Sequence, residues 1–316
     1  MKKFGYDVCI YHGGCPDGIG GAFPFWLEAK KSDRLGEMLF IGGIHGIVPE
    51  INKIKGKHVL FVDFSYKRAT IIDLCKHAES MLILDHHDTA KRDLEGLDLE
   101  NLTCIIDTSR SGAQIAWDYV YDKPRPWFIE IIADRDLWKW EIPNSKEIGA
   151  ALYTLGWYRW EKMEELCESK ESNVSLDSFL EKGKFLAKLN DMKIQKSIRK
   201  GFIREFLGYK VMMVTGDAEL RSEIGGIAAS QEDVDFAAFY RHSEQDGQVW
   251  ISLRGSEECE IVLNKLCEKY GGGGHPKAAG FAIHTIYSET WQNADSIKRQ
   301  KLAHGTISDY FVRMEQ

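Results

Sequence analysis

The sequence predicts an α/β protein of two domains, the first built on a parallel sheet. Three observations carry this. Short apolar runs alternate with helical patterns over the first 140 residues. Those runs are continuously apolar, as strands buried on both faces of a parallel sheet must be. A long amphipathic segment then fills 175–200, and beyond 202 the strand pattern restarts. With 316 residues, 44% of them hydrophobic, the chain can bury two cores. We expect an N-terminal domain over 1–174, a helical linker over 175–201 and a smaller C-terminal α/β domain over 202–316.

The elements follow in order. YDVCIY (6–11), MLFIGG (38–43), HVLFVDF (58–64), SMLILD (80–85) and LTCIID (102–107) are short, rich in β-branched or aromatic residues, and bounded by polar or glycine positions. They predict strands. Residues 18–31, 67–79 and 111–121 predict the helices between them. Residues 126–170 read as helical and aromatic. In 175–200, Leu176, Phe179, Leu180, Phe185, Leu186 and Leu189 fall on one helical stripe. Strands are expected at 202–207, 210–215, 234–241 and 248–253, helices at 221–231 and 258–270, and a helical tail after the glycine-rich segment 270–283.

The net charge of −7 argues against a basic coat for long duplex DNA. Seven cysteines without a CxxC pair argue against a disulfide framework and fit a reducing cytoplasm. No apolar run approaches the ~20 residues of a membrane span. A cytoplasmic protein is expected.

The chemistry gathers at strand ends. His12 and Asp17 follow the first strand, Asp63 ends the third, and Asp85-His86-His87-Asp88 ends the fourth. Asp134 and Asp136 follow a further apolar run. In an open parallel sheet such ends converge on one crevice. Oxygen and imidazole donors without thiolate suit Mn²⁺ or Mg²⁺, with Co²⁺ or Zn²⁺ as substitutes. Two ions sharing a central carboxylate would clamp a phosphoryl group. Taken singly, each residue has a plainer role: Asp63 as a helix cap, Asp17 as turn chemistry before Gly18, His12 as a loop histidine. Four such groups in a row after an apolar strand are costly to desolvate unless used.

In the C-terminal half, Gly271–Gly274 precede His275, Pro276 and Lys277. Consecutive glycines would let backbone N–H groups approach an anion, and Pro276 suits the first turn of a helix whose N-terminus attracts it. Arg254, at the end of VWISLR, suits a phosphate or a base, or pairs with Glu257 or Glu258. Tyr11, Phe64, Tyr66 and Trp138 flank the motifs and would either stack bases or fill the core.

LILDHHDTA resembles the signature of the DHH phosphoesterase family. HGGCPDGIGGA, FVDFS and IIADRDLW resemble its first, second and fourth motifs, and GGGGHPKAAGF resembles the hallmark of its associated C-terminal domain. The motifs run in order over residues 6–285. The resemblance implies phosphoester hydrolysis, usually with Mn²⁺, and an oligoribonuclease-like branch with short RNA or linear dinucleotides as substrate. It implies His12, Asp17, Asp63, His86 and Asp134 as metal ligands, Asp63 bridging. Asp85, His86 and His87 are implied as catalytic, His87 at the phosphoryl oxygens. Arg254, Gly272, Gly273, Gly274 and His275 are implied at the substrate end. The first motif departs from the common form. One extra residue separates His12 from Asp17, and Ile19 stands where a second Asp is usual. Either a carboxylate is lost or another group, such as Cys15, replaces it. Asp136 competes with Asp134 for the ligand role. Two rivals remain: a pyrophosphatase or short-chain polyphosphatase, and a nucleotide sensor that binds without cleaving. A homodimer is compatible with either reading.

Overall fold

The apolar runs of the N-terminal half form one sheet of five parallel strands, in a computed structural model that describes residues 5–44, 47–168, 176–243 and 248–284. The chain divides into two units, Met1–Lys188 and Leu189–Gln316. The first unit runs β1 (Val8–His12), α1 (Pro16–Lys31), β2 (Leu39–Gly43), α2 (Ile51–Ile54), β3 (His58–Val62), α3 (Arg68–Cys75), β4 (Ser80–Asp85), α4 (Asp88–Leu94), β5 (Leu102–Ile106) and α5 (Gly112–Val120). Then come α6 (Trp127–Asp136), α7 (Ser145–Thr154) and α8 (Trp160–Glu168). The segment expected to be helical over 126–170 holds these three short helices among its described residues. Helix α9 (Leu176–Lys200) continues through the division between units.

The strand order β2-β1-β3-β4-β5 reverses direction between β1 and β3. A crevice opens at such a switch point, outside the carboxyl ends of the strands. Alternate residues build the two faces. Val8, Ile10, Val59, Phe61, Met81 and Ile83 share one core with α3. Cys9, Leu60, Val62, Leu82 and Leu84 share the other with α1 and α5. Phe23, Trp26 and Trp117 extend the second layer under α6 and α7, with Trp127, Trp157 and Trp160 packed against them. Burying the sheet on both faces fixes its register, since a one-residue slip would exchange the faces.

The second unit holds β6 (Phe202–Phe206), β7 (Tyr209–Val214), α10 (Arg221–Ala229), β8 (Phe236–Ser243), β9 (Gln248–Arg254), α11 (Leu263–Glu268), β10 (Gly273–Gly274) and β11 (Ala278–His284). They form a mixed sheet in the order β10-β11-β9-β8-β7-β6, in which only β7 and β8 pair in parallel. The glycine-rich segment is a hairpin, not a loop leading into a helix. His275 N–H donates to Ala278 O at 2.8 Å and Ala278 N–H returns to His275 O at 3.2 Å. Pro276 occupies the second position of that four-residue turn, where its fixed φ is favoured. The expected tail helix lies outside the described residues. Among those described, no helix is long and apolar enough to cross a membrane.

Candidate metal centre

Strand β1 ends at His12, and Asp63 follows β3 directly, so the switch point carries one imidazole and one carboxylate from neighbouring strands. Asp63 has φ 54°, a left-handed conformation that Asp tolerates better than most residues. The next strand, β4, ends at Asp85 and delivers His86 and His87. Asp17 comes from the first turn of α1.

These groups meet. His86 Nε2 lies 3.0 Å from Asp63 Oδ1 and 3.7 Å from Asp17 Oδ2. His12 Nδ1 lies 3.3 Å from Asp63 Oδ2. Among the described residues of the first unit, two three-residue sets have donor atoms within 4.8 Å of one another: His12, Asp63 and His87, and Asp17, Asp63 and His86. Asp63 belongs to both. Asp85 Oδ2 is a buried oxygen without a hydrogen bond among the described residues, while Asp63 Oδ2 faces the His12 ring at 3.3 Å. A buried carboxylate oxygen in that state calls for a cation. The all-oxygen and imidazole donor set fits a hard or borderline divalent ion.

Helix α5 holds Asp17 in place. Its first backbone N–H groups, Gly112 and Ala113, donate to Asp17 Oδ2 at 2.7 Å and to Oδ1 at 3.1 Å. A reciprocal capping box between Ser111 and Gln114 fixes that helix start. Glycine is required there, because a Cβ on Gly112 would lie 2.5 Å from Asp63 Cβ. Gly18 is likewise pressed on His12, where a Cβ would sit 2.3 Å from the His12 carbonyl oxygen. Gly18 therefore serves a close approach inside α1 and not a turn.

Asp85 orients its neighbours. Its Oδ1 accepts from the backbone N–H groups of His86 at 2.7 Å and His87 at 3.2 Å, and stands 2.7 Å from His87 Nδ1. A carboxylate behind a histidine fixes its tautomer and leaves the other ring nitrogen to bind.

Charge is unbalanced here. Burial, then the carboxylates of Asp63 and Asp136, push Asp17 well above the usual carboxylate range. Burial opposes charge on Asp63 too, yet His12 and His86 hold it well below that range. Burial works against charge on His86, but Asp63, Asp136 and Asp17 raise it well above the usual imidazole value. Four carboxylates, Asp17, Asp63, Asp85 and Asp136, stand against three imidazoles, His12, His86 and His87, and a divalent cation would relieve the excess of negative charge.

No protein-family model matches the chain. It is 27% identical over 300 residues to an uncharacterized protein of Acanthamoeba polyphaga mimivirus, covering 90% of this chain and 69% of that one. It is 24% identical over 294 residues to the oligoribonuclease NrnB of Bacillus subtilis, covering 89% and 67%. Among solved structures, a DHH domain described as belonging to a family of ribosomal proteins aligns over 95% of this chain and 87% of its own, with a TM-score of 0.55 at 12% identity. The chain shares the fold of that DHH domain, and its motifs resemble those of the DHH family in order.

The structure separates the two acids of the IIADRDLW segment. Residues two apart on a helix do not share a face. Asp136 Oδ2 stands 3.4 Å from His86 Nε2. Asp134 turns into the following loop, where its carboxylate accepts from Glu141 N–H at 2.8 Å, Ile142 N–H at 3.4 Å and the Ser145 hydroxyl. The sequence reading favoured Asp134, but the structure brings Asp136 to the histidine. Asp136 thus adds a further carboxylate beside His86. Ile19, at the position of the missing acid, packs into the aromatic core, and its carbonyl accepts from Trp160 Nε1 at 3.1 Å.

In the second unit, Arg254 and the His275 turn share one end of the sheet, because Ala278 pairs with Arg254. Arg254 Nη2 donates to Ser222 Oγ at 2.9 Å. Lys277 Nζ donates to the carbonyls of Glu257 and Cys259. The glycines serve chain packing, since a Cβ on Gly272 would lie 2.1 Å from Gly280 O. Gly273 pairs with Gly280, and Gly274 has φ 130°. Sequence reasoning did not assign Gly112, whose signal is only a Ser-Gly-x-Gln start to a helix.

Proposed function

We propose that the chain is a divalent-metal phosphodiesterase that cleaves short RNA or linear dinucleotides to mononucleotides. The observation that carries this is Asp63, common to two sets of metal-competent donors at the switch point of a parallel sheet. The similarity to a protein named oligoribonuclease supports the substrate class. The net charge of −7 supports a short substrate over a long duplex.

His12, Asp63 and His87 would hold one ion, and Asp17, Asp63 and His86 the other, with Asp136 beside the second. When bound, such ions supply Lewis acidity and lower the pKa of water. The remaining work belongs to the chain. Asp63 joins the two sets and fixes their spacing. Helix α5 keeps Asp17 aimed inward through two charge-assisted hydrogen bonds. Asp85 holds the His87 ring. Arg254 and His275 would bind the substrate end. Mn²⁺ is the first ion to try, with Mg²⁺ and Co²⁺ as alternatives.

The test is turnover of pApA, pGpG, a five-nucleotide RNA, a longer single-stranded DNA, pyrophosphate and a short polyphosphate, each with Mn²⁺ and with EDTA. Mononucleotide release from the short nucleotides, abolished by EDTA, is the expected result. Phosphate release from the inorganic substrates alone would overturn it, as would tight nucleotide binding without cleavage.

A further inference from the structure

Two tryptophans follow Asp136 on a strained turn that the proposed metal chemistry does not use. Trp138 has φ 57° and Trp140 φ 54°. A bulky residue rarely takes that left-handed conformation, and it persists only where its surroundings impose it. Here they do. Leu137 and Trp138 N–H donate back to Ala133 O at 2.9 Å and Arg135 O at 3.1 Å. Lys139 N–H donates to Asp134 O at 2.9 Å, and the Asp134 carboxylate takes the three donors already described. Asp134 is thus the knot of the turn.

The strain does not bury Trp138, which remains 42% exposed. A packing role would bring the indole into the core, as it does for Trp26 and Trp117. Instead the residue stays partly open to solvent, its ring against Trp140 at a centroid distance of 5.2 Å and 74° between planes. Trp138 is also two residues from Asp136, whose carboxylate touches His86. Chain geometry keeps those two Cα atoms within about 7 Å. A partly exposed aromatic residue on a strained turn therefore lies two positions along the chain from a carboxylate of the candidate metal centre.

We propose that Trp138, braced by Trp140, is a stacking surface for a nucleobase of the substrate, and that Asp134 is the positioning residue that holds it out. This rests on the phosphodiesterase reading above. Stacking on an indole accepts any base, so the surface would favour nucleotides over base-free phosphates without reading sequence.

The experiment has two arms. Calorimetry compares AMP with ribose 5-phosphate for binding to the full chain, wild type, Trp138→Ala and Trp138→Phe. The wild type should prefer AMP by roughly 5- to 150-fold, the range expected for one stacked base. Trp138→Ala should lose most of that preference, and Trp138→Phe should keep part of it. Kinetics then compare kcat/KM for pApA with that for its abasic counterpart, and the ratio should fall in Trp138→Ala through KM rather than kcat. Equal affinity of the wild type for the two monophosphates, including none for either, overturns the stacking surface whether or not the protein hydrolyses anything. An AMP preference unchanged in Trp138→Ala overturns it as well. Failure of the phosphodiesterase reading appears separately, as absence of wild-type turnover.

Discussion

Gly112 and Asp63 approach so closely that a methyl group on the glycine would lie 2.5 Å from the Cβ of the aspartate. The start of α5 and the end of β3 are therefore in contact at the point where Asp17 is held. Gly112→Ala must push Asp63 aside or move the helix. We expect a loss of about 1–3 kcal/mol of stability, the usual cost of overpacking. Mn²⁺ affinity should fall together with stability. Denaturant unfolding and metal titration of the variant check both.

Asp134 and Asp136 should fail in different ways. Asp136→Asn removes a charge beside His86 and should lower metal affinity about tenfold or more with little change in fold. Asp134→Asn weakens a carboxylate that accepts three hydrogen bonds, and should cost about 1.5–3 kcal/mol of stability. Thermal unfolding of both variants in EDTA, beside metal titration, separates the roles. Equal loss of metal affinity in both would restore Asp134 as a ligand.

Asp85 acts through His87. Asp85→Asn leaves a neutral group 2.7 Å from His87 Nδ1 and frees the ring to change tautomer. Activity or metal affinity should drop about 10- to 100-fold, as when a carboxylate behind a ligating histidine is lost. Steady-state kinetics across Mn²⁺ concentrations would show which of the two moves.

Ser111→Ala opens the capping box that fixes the α5 start. The expected cost is about 0.5–2 kcal/mol. Because Gly112 and Ala113 N–H groups grip Asp17, metal affinity should weaken as well. A variant with reduced stability and unaltered metal affinity would show that Asp17 is held by α1 alone.

Much of this was legible in the sequence because it depended on chain-local patterns. The continuous apolar runs before Asp63 and Asp85 marked buried parallel strands, and the acids after them marked strand ends. What the sequence left open depended on contacts between distant segments. Asp134 and Asp136 are equivalent on paper, and hydrogen bonds from residues 141–145 distinguish them. Helix α4 was missed because DTAKRDL is short and has no apolar stripe. Strands β10 and β11 were missed because glycine and alanine read as loop, although small residues are what lets β11 lie against β9 and β10. Pro276 fits a helix start and a turn equally well, and only the His275–Ala278 hydrogen bonds decide between them.

The central claim is that Asp63 joins two sets of donors into one metal centre. Isothermal titration of the EDTA-stripped protein with Mn²⁺, wild type against Asp63→Asn, tests it most directly. The account predicts two ions per chain for the wild type and loss of both, or a large fall in the affinity of both, in the variant. Wild-type protein that takes up no ion, or an Asp63→Asn variant that binds two ions as tightly as the wild type, would contradict it.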